Sequence, residues 1–110
     1  MKNIIALLLV ILISSQARSQ TVAEQLSSKI ADKMKDTLEL TGTQRQQIYE
    51  INMQLATQKQ AARAASTDRE VVGRQLQQIE GTRDGLYQPI LGEEKFATYR
   101  RKKNNLVNNQ

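Results

Sequence analysis

Two groupings in this 110-residue chain have residue types and spacing that bear on chemistry. The first is Leu40-Thr41-Gly42-Thr43-Gln44, in which Thr41 and Gln44 stand three positions apart. A Thr hydroxyl there accepts from the amide of the third residue on, and a Gln side chain reaches back to the amide of the Thr, so the pair starts a helix. Leu40 precedes the cap, and because the usual apolar partner position holds Arg45, Leu40 is expected to pack toward Ile48. The second grouping is Arg100-Arg101-Lys102-Lys103, the only basic run. It reads either as a solvated helix end favoured by the macrodipole or as an attractive patch for acidic clients, lipid headgroups or a sensor domain.

The remaining inventory excludes more than it offers. There is no His, Cys or Trp, hence no imidazole base, thiol nucleophile, disulfide framework or zinc site of the usual ligands. No Ser-His-Asp set, phosphate-cradling Gly loop or paired-carboxylate cleft is visible, so no catalytic residues are assigned and the chain is not read as an enzyme. Glu93-Glu94 fall at a helix start, where carboxylates are favoured in any case. Met34 and Met53 at helical spacing read as core rather than metal ligands. Neither a cofactor nor a metal is expected. Aromatic residues make up 4% of the chain, a poor supply for base stacking, and nucleic acid is not an expected partner.

The elements that must position these groups begin after an address label. Lys2 and Asn3 precede a ten-residue apolar run, Ile4 to Ile13, followed by Ala17-Arg18-Ser19. The run is half of the about 20 residues that span a bilayer, and it suits the h-region of a secretory signal peptide over 1–19, cleaved before Gln20. The processed chain then carries fourteen basic and eleven acidic residues, a net charge of +3. It would be exported, and its basic excess would meet an anionic membrane face or an acidic protein region.

Residues 20–110 read as one all-α domain, rich in Gln, Lys, Arg, Glu, Ala and Leu and without period-2 alternation. A first helix spans about Val22 to Glu39, with Leu26, Ile30, Met34 and Leu38 four apart. A second runs from the Thr41 box to about Ala65, with Ile48, Ile51 and Leu55 on one face and six Gln among its residues. Thr67 and Glu70 form a second capping box, which predicts a third helix whose stripe is Val72, Leu76, Ile79, Leu86 and Ile90. Arg83 stands where that stripe needs an apolar residue, and with Glu80 and Asp84 it offers interhelical ion pairs or a solvated face. Pro89 is expected to kink or end this helix near Gln88. A short fourth helix from about Glu93 to Lys103 follows, and 104–110 is expected to fray. Short breaks favour a small antiparallel helical bundle or hairpin of three to four helices.

A signal peptide, no strand, the Leu40-Thr41-x-x-Gln44 box before the long helix, and a degenerate second copy at Leu91-Gly92-Glu93-Glu94-Lys95 together resemble the Spy/CpxP family of periplasmic stress proteins, which share LTxxQ motifs. In the second copy Gly92 replaces Thr and Lys95 replaces Gln, so the reciprocal side-chain bonds cannot form there. The resemblance implies a helical, hairpin-like subunit, often a homodimer. It implies ATP-independent binding of unfolded or aggregation-prone proteins, or the damping of an envelope-stress sensor by contact with its sensor domain. A structural envelope-associated helical protein whose basic tail touches lipid is a third alternative.

Overall fold

The computed structural model describes residues 21–108. The leader read over 1–19 lies outside them, as do Gln20, Asn109 and Gln110. Four helices follow in order: α1 Val22–Leu38, α2 Gly42–Ala65, α3 Arg69–Gly81 and α4 Arg83–Lys103, then a π-helical turn, Asn104–Asn108. No described residue is in a strand, and the architecture is a small all-α bundle. At 24 residues, α2 is about 36 Å long and forms the spine against which the other helices lie.

The α1–α2 hairpin is set by its connection. Glu39 adopts the left-handed conformation (φ 56°) and its amide bonds to the Lys35 carbonyl. The Leu40 amide donates to the same carbonyl at 3.1 Å. These bonds occupy a carbonyl that the helix end would otherwise leave free. Thr41 then caps α2. Antiparallel pairing is held by Arg45, whose Nε meets Asp32 at 3.0 Å and whose Nη2 donates to the Ser28 hydroxyl at 2.6 Å. Ile30, Ala31, Met34, Leu38, Leu40 and Ile48 fill the shared core. Met34 is fully buried, as its spacing requires. Leu26, the first member of the α1 stripe, stays 42% exposed.

The later helices depart from expectation in four places. The cap of α3 is Asp68, whose carboxylate accepts from the amides of Glu70 and Val71, and not Thr67. Asp outcompetes the neighbouring Thr because an ionised acceptor makes the stronger bond to an amide. Second, the helix expected to continue to Gln88 is divided at Thr82, whose hydroxyl bonds to the Ile79 carbonyl at 2.7 Å. Third, the chain passes through Pro89 without breaking and turns at Gly92, the only positive-φ glycine described (φ 78°, ψ 171°). A left-handed residue ends a helical run more completely than the single lost amide of a proline. A straight helix would put residues 84 and 103 about 28 Å apart, yet Asp84 and Lys103 pair at 3.0 Å. Residues 83–91 and 93–103 are therefore two antiparallel arms. Fourth, 104–108 does not fray: Leu106 and Val107 are buried in the core cluster.

Candidate functional site

The Thr41 box forms as its residue types require. The Thr41 hydroxyl accepts from the Gln44 amide at 3.1 Å, and Gln44 Oε1 accepts from the Thr41 amide at 3.0 Å. Leu40 is buried in the cluster that holds Ile48. The box also does something that a local reading misses. Gln44 Nε2 donates to the carbonyl of Ile90 at 3.1 Å, next to the break at Gly92. Leu91 is buried in the same cluster as Leu40, and Lys95 Nζ donates to the Glu39 carbonyl at 2.9 Å. The two Leu-containing segments thus face each other, each supplying side-chain donors for carbonyls stranded at the other's helix end.

Arg83 is 5% exposed, so the solvated-face alternative does not hold. Its Nη1 donates to Asn52 Oδ1 at 2.9 Å and to the Tyr87 hydroxyl at 2.7 Å. Its Nε and Nη2 grip the Glu80 carboxylate at 2.5 and 3.1 Å. Glu80 also pairs with Lys59 of α2 at 2.5 Å, the interhelical pair expected of this segment. The Tyr87 hydroxyl bonds to Asn52 Oδ1, and Asn52 Nδ2 donates to the Ser27 carbonyl at 3.0 Å. No buried side-chain nitrogen or oxygen among the described residues lacks a partner. One cluster therefore ties α1, α2, α3 and α4 together. Desolvation opposes charge on Glu80, but bonds from Arg83 and Lys59 prevail and hold its carboxyl below the ordinary value. Burial also works against charge on Arg83, yet the Glu80 carboxylate keeps it firmly protonated. Burial pushes the Tyr87 hydroxyl up to about 12.

Asn52 was not singled out by sequence reasoning. The signal was present: Ile48, Asn52 and Leu55 are spaced four and three apart on the buried face of α2, so one polar residue occupies a core stripe. A buried amide there demands partners.

The basic run divides in two. Lys103 and Arg100 approach Asp84 at 3.0 and 3.8 Å, and Tyr99 donates to the same carboxylate at 2.9 Å. Desolvation raises the Asp84 carboxyl, but these donors and charges outweigh it and leave it below its ordinary value. Arg101 and Lys102 remain exposed. Arg100 and Lys103 thus form a structural clasp, and Arg101, whose Nη2 donates to the Thr98 hydroxyl at 3.2 Å, and Lys102 form an exposed surface beside it. No hydrogen bond or ion pair among the described residues joins this run to the Leu40–Thr41–Gln44 box.

No described cluster of three or more His, Cys, Asp or Glu is arranged to hold a metal ion. No described helix is long and apolar enough to cross a membrane. Fold and site together define a small all-α protein organised around a capping box and a buried polar cluster. No family model, curated protein or solved structure matches the chain.

Proposed function

We propose that the protein is an exported, ATP-independent chaperone-like protein of the Spy/CpxP type, acting on non-native proteins in the periplasm. The observation that carries this reading is α3. Its apolar residues Val71, Val72, Leu76 and Ile79 are all only half-buried, and no residue of that helix is buried. A helical layer with apolar side chains open on one side is suited to reversible contact with apolar segments of other chains. The amide-rich surface of α2, with Gln46, Gln47, Gln54, Gln58 and Gln60 exposed, supports tolerance of varied partners. The LTxxQ resemblance and the apolar leader support the compartment and the class.

Light scattering from a denaturing client, with and without the processed protein, tests the proposal. Aggregation of several unrelated clients is suppressed at equimolar protein without nucleotide; unchanged scattering across all of them defeats the reading. A regulator that binds an envelope sensor domain is the second reading, favoured by exposed Arg101 and Lys102 at the end of α4. Altered stress-reporter output on overexpression, without client protection, selects it. The half-covered α3 face also supports a homodimer, since burial of apolar surface is worth about 25 cal/mol per Å². A monomer in sedimentation at roughly tens of micromolar contradicts that assembly.

A further inference from the structure

The two large hydrophobic residues most open to solvent, Val22 (79% exposed) and Leu26 (42%), stand on the first two turns of α1. They line one wall of a cleft between α1 and the second half of α2, with a volume of about 630 Å³. Ile30, Met53 and Ala56 continue the apolar lining. The cleft also touches Asn52 and Arg83, 2% and 5% exposed, whose mutual bonds keep that end rigid. Its cations are unequal. Lys59 is engaged by Glu80. Arg63, about two helical turns beyond Ala56, is exposed and within ion-pair distance of no described carboxylate. Glu24 is the one carboxylate in the lining.

We propose that this cleft binds a free long-chain fatty acid, with the acyl chain along Val22, Leu26, Ile30, Met53 and Ala56 and the carboxylate at Arg63. Two features select that occupant. The volume falls in the range of about 300–1,000 Å³ typical of small-ligand sites. An apolar wall ending at an unpaired guanidinium complements a molecule that is apolar along its length and anionic at one end, because Arg offers a carboxylate two parallel donors. The proposal is independent of client binding: it concerns the α1–α2 cleft, not the half-open face of α3.

Calorimetric titration of the purified, processed protein with dodecanoate below its micelle concentration is the test, with dodecanol and a dodecyl-trimethylammonium salt as controls. Dodecanoate is expected to bind one per chain, at least tenfold more tightly than dodecanol, with the cationic analogue weakest. Arg63→Gln is expected to abolish the preference for the acid while sparing the alcohol. Leu26→Asp is expected to abolish binding of both; Val22→Asp serves where Leu26→Asp alters the thermal melt. Equal affinity for acid and alcohol, or unchanged binding by the Asp variants, overturns the proposal. So does association only with vesicles of anionic phospholipid, which would make the patch a membrane contact. So does a dimer that Leu26→Asp dissociates in a protein that takes up no dodecanoate, which would make it a self-interface.

Discussion

Thr41→Ala removes the hydroxyl that accepts from the Gln44 amide at 3.1 Å, and a loss of about 0.5–2 kcal/mol in urea unfolding is expected. Thr43 lies exposed inside the first turn of α2, so Thr43→Ala is expected to be near neutral; equal losses would misassign the cap. Asn52→Ala is a harsher change because it removes the acceptor of the buried Tyr87 hydroxyl and one of the two acceptors of Arg83 Nη1. Its expected cost is about 3 kcal/mol, the upper end for a buried polar group left unpartnered. Asn52→Leu and Arg83→Met combined are expected to cost less than the sum of the two single changes, since each single change already breaks their mutual bond. Sub-additive losses in a double-mutant cycle check this. The carboxyls of Glu80 and Asp84 are held below their ordinary values of 4.5 and 3.8. A depressed carboxyl contributes stability above its unfolded pKa, and that contribution is lost as pH falls through its folded pKa. Thermal midpoints are therefore expected to fall from about pH 5 downward, and less steeply in Asp84→Asn.

At the scale of elements, two backbone positions with φ above zero make opposite predictions. Gly92 (φ 78°) is strained by any side chain although nothing crowds its Cβ position. Gly92→Ala should cost upwards of about 1 kcal/mol and loosen the Asp84–Lys103 clasp. Glu39 (φ 56°) already bears that strain, and its side chain makes no hydrogen bond or ion pair with another described residue. Glu39→Gly is expected to be neutral or stabilising by up to about 1 kcal/mol in the same urea assay. The elements themselves were legible because helix propensity, the four-residue apolar spacing of α1 and the Thr41 box are local signals. The sequence alone does not separate Thr67 from Asp68 at the start of α3, because both are good caps and the choice lies in acceptor strength. The sequence points to Pro89 rather than Gly92 for the turn because a proline is visible in sequence, whereas a positive φ is decided by the packing of Leu91 and Tyr99 into one core. The burial of Leu106 and Val107 was invisible for the same reason: a polar-flanked tail reads as loose until a groove between α1 and α4 exists to receive it.

For the whole molecule, charge and apolar surface have separate addresses. Arg100 and Lys103 are drawn into the clasp on Asp84, so long-range attraction at this end falls to Arg101 and Lys102. Changing these two to Gln is expected to slow association with acidic partners at low salt while leaving helicity unchanged, with the difference shrinking as screening approaches about 8 Å. Stopped-flow rates across a salt series check it. Of the candidate site, the Leu40–Thr41–Gln44 box was readable from its own five residues. The Gln44–Ile90 and Arg83–Asn52 bonds, which join residues 46 and 31 positions apart, depend on the closed bundle. The proposal that the protein holds non-native chains without nucleotide is tested most directly by fluorescence anisotropy of one labelled client in its unfolded and native forms, titrated with residues 20–110 in the absence of ATP. The expected result is saturable binding to the unfolded form at least tenfold tighter than to the native form, a gap of about 1.4 kcal/mol or more. Equal affinity for the two forms, or no binding to the unfolded one, contradicts it.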